Sequence, residues 1–236
     1  SRDRQFQDMM LPWVARHDDE FGLGTDAMEI REQWEAAGGT RSMLGQLVAG
    51  SFILPAMYNT ADYPFAGAMI RTFLQLSAEE AEAETPEEAK AQLEEVVAQA
   101  RADMPADQVA AFDRFAARGM ESVENRGRIA EAVKTGDQVT FSGTFSAIRC
   151  QDGQWNQSQG YWTSWVKDLI RKSPWIGVMM GPSECMYWPA QTSMPKQPGG
   201  AKAQDAVIIQ TELDAATPYE GGHRAAGVLR LSLIHI

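Results

Sequence analysis

The residue best placed to do chemistry is Asp214. It follows a short apolar run (Ala206, Val207, Ile208, Ile209) and a polar turn, and it precedes Thr217-Pro218. β-Branched residues without polar alternation suit a strand covered on both faces, so the run predicts a buried parallel strand. Thr217 fits an N-cap and Pro218 the first helical position. The pattern therefore predicts a strand–turn–helix step with a carboxylate just past the strand's carboxyl end. Open α/β sheets gather ligands and catalytic groups at that end. A carboxylate there could orient an imidazole and stabilise its charged form during nucleophilic catalysis. The same local chemistry also fits an Asp that only caps the following helix.

The partners of such an acid are not evident. No G-x-S-x-G elbow occurs in the chain, and the surroundings of Ser51 (Ala49-Gly50-Ser51-Phe52) and Ser142 (Phe141-Ser142-Gly143) lack its glycines. His223 falls inside the helix predicted after Pro218 and reads as an exposed helix residue. His17 lies in His17-Asp18-Asp19-Glu20, a composition that suggests a metal. Adjacent helical residues point in different directions, so a solvated face is expected there and no metal site is assigned. Asp62, in a loop with Tyr58 and Tyr63, and Glu184 are carboxylates that could hold a free amine. Asn156-Gln157-Ser158 fits a glycosylation sequon. Cys150 and Cys185 are the two cysteines. Their number alone leaves open one disulfide in an exported protein or two reduced thiols inside a cell.

The elements that must position these residues fall into two kinds. Residues 1–135 read as almost all helix. Thr25 is expected to cap a helix through Ile30 and Trp34, which Gly38-Gly39 ends. Met43 to Met57 is strongly apolar, and Phe65 to Leu76 is another apolar helix. Ser77 with Glu80, and Thr85 with Glu88, fit capping boxes. Pro105 is expected to open a helix carrying Val109, Phe112 and Phe115 on one face, with Gly119 as an interruption. The character changes near Gly136. Val139 to Phe145 alternates weakly, Ala147 to Cys150 suggests a short strand, and Tyr161 to Arg171 reads as an amphipathic helix. Pro182 to Gly200 is a Pro- and Gly-rich loop. The domain reading is a helical region over 1–135, an α/β region over 136–230, and a terminal piece over 231–236.

Composition narrows the class. The 236 residues are 44% hydrophobic, enough for a sizeable core. Net charge is −11, which argues against a nucleic-acid backbone or an anionic membrane surface as main partner. No apolar run reaches the roughly 18 residues of a membrane span. Seven Trp and twelve Met suggest well-filled helical packing or an apolar cleft, and at helical spacing such residues are more often core.

Three motifs in order carry a resemblance. Ala147-Ile148-x-Cys150-x-Asp152 is followed by Cys185-x-x-Trp188-Pro189, and then by Glu212-Leu213-Asp214-x-Ala216-Thr217-Pro218-x-Glu220 with Arg224 and Ala226. Together with the preceding helices, this resembles the secreted tripeptidyl aminopeptidases and proline iminopeptidase-like serine peptidases over about residues 40–228. The resemblance implies a partial α/β-hydrolase fold: a helical cap or lid, then the C-terminal part of a mostly parallel α/β core. It implies Asp214 as the catalytic acid, a Cys150–Cys185 disulfide, a secreted or periplasmic location, a peptide substrate and no cofactor. The serine nucleophile and first core strands are expected upstream of Ser1. The catalytic histidine is expected downstream, since Leu231-Ser232-Leu233-Ile234-His235-Ile236 does not resemble the family's strand and Gly-His turn. Those six residues look like translated sequencing-adapter sequence and are expected to be foreign. With one triad member of three, the chain alone is expected to be inactive. The competing readings are a non-catalytic helical binding module on the same scaffold, and an α/β-hydrolase of other specificity, such as an esterase.

Overall fold

The computed structural model describes residues 2–79, 81–135, 144–181, 183–188, 207–214, 216–217, 219–229 and 232–235. The chain divides into two compact units, Asp3–Val139 and Thr140–Ile236, the latter with Ser1–Arg2.

Among the described residues the first unit contains helices and turns and no strand. Its main elements are α1 (Leu11–Arg16), α2 (Ala27–Ala36), α3 (Met43–Val48), α4 (Tyr63–Glu79), α5 (Pro86–Ala102) and α6 (Val109–Thr135). Two π turns interrupt the ladder, Phe6–Met10 and Ala49–Ile53, and each lies just before a proline, Pro12 or Pro55. A proline cannot donate to the carbonyl four residues back, and its ring crowds that carbonyl. The helix widens to i→i+5 bonding there and continues instead of breaking: Leu11 N–H donates to Phe6, and Leu54 N–H to Ala49.

Local caps fix most helix starts. Thr85 and Glu88 form the expected capping box, with Glu88 N–H donating to Thr85 Oγ1 at 3.2 Å and Thr85 N–H to Glu88 Oε2 at 3.3 Å. Ser42 accepts from Gly45 N–H at 3.0 Å at the start of α3. Three expectations shift. Asp26, not Thr25, caps α2, accepting from Met28 N–H at 2.8 Å; a carboxylate is the stronger acceptor at the positive end of a helix. Ser77 starts no helix because α4 runs on to Glu79, and its expected partner Glu80 lies outside the described residues. Pro105 opens only a turn, closed by Gln108 N–H to Pro105 O at 2.9 Å, and α6 begins at Val109.

Helix α6 also runs straight through Gly119. A Cβ there would stand 2.2 Å from Phe52 Cε1, so the glycine lets the helix approach the second π turn. The core of the unit is aromatic. Trp34 and Phe73 are almost fully buried, with ring centroids 4.6 Å apart. Phe52, Phe65, Phe112 and Phe115 form a second cluster at 5.5–6.2 Å.

The second unit contains α7 (Thr144–Gln151), α8 (Gln159–Lys172), strand β1 (Val207–Gln210), α9 (Tyr219–Leu229) and strand β2 (Ser232–His235). The expected strand at Ala147 to Cys150 is a correction: these residues lie in α7. Ala, Arg and Gln favour helix, and the helix places Cys150 inward, fully buried, with Ile148 60% exposed. Of the expected alternation over Val139 to Phe145, residues 139–143 lie outside the described residues and Thr144 and Phe145 begin α7 instead; Pro182 and residues 189–200 of the expected loop also lie outside, and within that loop Glu184–Tyr187 forms a 3₁₀ turn.

Strands β1 and β2 pair in parallel, from Val207 opposite Ser232 to Gln210 opposite His235, with α9 as the crossover. This is one βαβ unit. The strand is parallel as expected but not buried: Val207 is 56% and Ile209 64% exposed. Alternation turns those two away from the half-buried Ile208 and Gln210, and among the described residues the sheet has two strands. Ala206 lies outside the described residues. Ser232–His235, within the segment set apart as foreign, forms β2. Among the described residues no helix is long and apolar enough to cross a membrane.

Candidate active site: the Asp214 turn

Strand β1 ends at Gln210, and its side chain turns back to hold the loop beyond. Gln210 Nε2 donates to Thr217 O at 3.0 Å and lies 3.3 Å from Thr217 Oγ1. Asp214 closes the same turn. Its Oδ1 accepts from Ala216 N–H at 2.6 Å and Thr217 N–H at 2.9 Å, while its Oδ2 accepts from Thr217 Oγ1 at 2.7 Å. These donors, the Thr217 backbone first, hold the carboxyl below the usual aspartate range. The turn therefore fixes a half-buried, ionised carboxylate at the carboxyl end of a parallel strand. A carboxylate has about four lone-pair positions. Oδ1 uses two and Oδ2 one, so Oδ2 keeps room for one further donor. Gln210 is a positioning residue that the sequence reading missed; a long amide closing an apolar strand just before a polar turn was the available signal.

Among the described residues no imidazole bonds Asp214. His223 is exposed on α9 as expected, with Nε2 2.9 Å from Tyr219 Oη and the two rings edge to face at 4.7 Å. His17 is in the other unit. It is half-buried rather than solvated, stacked on Trp13 at 3.9 Å with its Nδ1–H donating to Trp13 O at 2.7 Å. The flat face of the indole covers the imidazole and removes it from the acidic run beside it.

Cys150 on α7 and Cys185 in the 3₁₀ turn form a disulfide, both fully buried, with Cα atoms 4.9 Å apart. Polar bonds reinforce the crosslink. Arg149 Nη2 donates to Ser183 Oγ at 2.8 Å and Glu184 Oε2 at 3.1 Å, and Ser146 Oγ donates to Glu184 Oε1 at 3.3 Å. The Arg149 guanidinium also sits 5.8 Å over the Trp155 ring, which stacks on Trp162. Glu184, one of the two carboxylates suggested for an amine, is thus engaged by Arg149. Asp62, the other, faces Arg118 at 3.4 Å.

The parallel βαβ step with a carboxylate at its strand end is consistent with part of an α/β-hydrolase fold. Residues 173–234 match the family described as TAP-like protein. Over 219 residues the chain is 27% identical to the tripeptidyl aminopeptidases of Streptomyces lividans and Streptomyces coelicolor, covering 89% of this chain and 33% of each relative. Over that stretch the chain is similar to TAP-like proteins, and it spans about a third of the length of the curated relatives it matches.

Proposed function

We propose that this chain is the cap and acid-strand portion of a serine exopeptidase that hydrolyses peptide bonds near a free N-terminus through an acyl-enzyme. In this reading Asp214 is the acid. It orients the imidazole and stabilises the imidazolium, and the nucleophile and base come from sequence outside residues 1–236. The observation that carries the proposal is the state of Asp214: ionised by three donors from its own turn, at a strand end, with one lone pair of Oδ2 unspent. An acid that must stabilise a developing imidazolium works only as the carboxylate. The two Streptomyces relatives, named as tripeptidyl aminopeptidases, support the peptide substrate. The helical unit acts as the lid, and the buried Cys150–Cys185 bridge suits an exported enzyme.

The test begins with the flanking DNA, read in an independent clone, and expression of the longer reading frame. Tripeptide anilides with a free amine should be hydrolysed, and Asp214→Asn should lower kcat by about four orders of magnitude with KM little changed. An Asp214→Asn enzyme with full activity would remove Asp214 from the mechanism. The 236-residue chain by itself should hydrolyse nothing; turnover blocked by a serine-directed inhibitor would overturn its expected inactivity.

A further inference from the structure

The Asp214 carboxylate spends its two oxygens unequally. Oδ1 accepts two backbone N–H groups, from Ala216 at 2.6 Å and Thr217 at 2.9 Å. Oδ2 accepts the Thr217 hydroxyl at 2.7 Å. That hydroxyl has one proton and can rotate. Thr217 is exposed, so water competes for the proton. What holds it on Oδ2 lies on β1.

Gln210 removes the choice. Its Nε2 lies 3.0 Å from Thr217 O and 3.3 Å from Thr217 Oγ1. A backbone carbonyl only accepts, so the nitrogen end of the amide must face it. The same amide group then donates to Oγ1, which leaves the hydroxyl proton for Oδ2. Helix α9 makes room for the amide. Gly222 is buried, and a Cβ there would stand 3.0 Å from Gln210 Oε1 and 3.1 Å from its Cβ and Cγ. Packed carbon atoms prefer about 3.5–4.0 Å, so a larger residue would push the glutamine aside.

We propose that Gln210 and Thr217 are positioning residues that form a donor relay, in which the amide orients the hydroxyl, the hydroxyl fills one position of Oδ2, and the position left on Oδ2 receives the imidazole. The choice of Oδ2 for the imidazole rests on the reading of Asp214 as the catalytic acid; the relay itself does not. Oδ1 is excluded because its two positions are filled. Without the hydroxyl, Oδ2 offers two positions, and the imidazole is no longer confined to one. The carboxylate also loses a charge-assisted donor and becomes more basic. In the intact turn the Thr217 and Ala216 donors hold it below its ordinary range against the opposite push of burial.

Carboxyl-resolved NMR titration of Asp214 in the 236-residue chain tests the relay. Thr217→Val should raise the carboxyl pKa, and Thr217→Ser should restore the unaltered value. Gln210→Glu should also raise it, because a carboxylate at position 210 takes the Thr217 proton away from Asp214 and adds a negative charge. Gln210→Ala and Gly222→Ala should raise it less. The Ala216 amide shift should still follow the titration in each variant, since its bond to Oδ1 is untouched; a merely structural loss would abolish that response. A carboxyl pKa unmoved by both Thr217→Val and Gln210→Glu overturns the relay, and so does a Thr217→Ser chain that titrates like Thr217→Val. In the longer reading frame, Thr217→Val should lower kcat roughly tenfold with KM little changed, and Thr217→Ser should restore it. An unchanged kcat in Thr217→Val overturns the choice of Oδ2. Full activity of Asp214→Asn overturns the catalytic reading of Asp214, while the titration still decides the relay, so the two failures are told apart.

Discussion

The helical unit buries most of its large apolar residues, whereas the βαβ step leaves two of its strand residues in solvent. Trp34 is 1% and Phe73 0% exposed, against 56% for Val207 and 64% for Ile209. Helices satisfy their backbones internally and need only packed neighbours, which short connections supply. A parallel strand needs partners at both edges and cover on both faces, and those come from distant sequence. Residues of similar hydrophobicity therefore reach opposite fates. Closure of a core is a property of the element type as much as of the side chains.

The largest expected effect lies in the closed unit. Trp34→Ala removes a ring packed against Phe6 and Phe73 and should destabilise the helical unit by about 3–5 kcal/mol. Urea unfolding followed by circular dichroism measures it. A loss below about 1 kcal/mol would show that the aromatic cluster is not the core described.

Next comes the crosslink. Cys150 and Cys185 are 35 residues apart in sequence. Reduction, or Cys150→Ser with Cys185→Ser, should cost the second unit about 2–4 kcal/mol and leave the helical unit unchanged. Limited proteolysis with and without reductant reads the two units separately. Equal loss of protection in both would mean that they unfold as one.

A smaller effect is expected at the turn. Asp214→Ala removes acceptors for two backbone N–H groups and one hydroxyl and should cost about 1 kcal/mol. Because its folded pKa lies below the ordinary value, the stabilisation is present above the ordinary aspartate pKa. It is lost as pH falls through the lower folded value. Carboxyl-resolved NMR titration checks the sign, and a folded pKa at or above the ordinary range would contradict the turn geometry.

The smallest effect on stability, though not on solubility, belongs to Ile209→Lys. The side chain is exposed, so the unfolding midpoint should barely move. A charge on the open strand should reduce self-association, read by sedimentation velocity. Unaltered association would place the sticky surface elsewhere.

The regions also differ in how far their sequences could be read. The helices of residues 3–135 follow from apolar spacing, and the Thr85–Glu88 box follows from two residues at fixed separation. Such signals are local, and so are the contacts they encode. The Asp214 turn was legible for the same reason, because its donors lie two and three residues away. The Ala147 to Cys150 segment was not. Its β-branched and apolar residues are too few to fix a period, and the inward turn of Cys150 toward Cys185 favoured a helix. The solvent exposure of β1 was likewise hidden, since burial of a strand depends on which other strands are present.

By itself, then, the sequence determined the helical block, its Thr85–Glu88 capping box and the carboxylate after β1. Each is a matter of covalent geometry or of neighbours a few residues apart. Only the tertiary structure decided that Gly50 would seat Arg126 across 76 residues of chain, that Gln210 would brace the Asp214 turn, and that a helix would present Cys150 to Cys185. Those outcomes depend on which surfaces meet when the helices pack, and no local pattern of side chains records them.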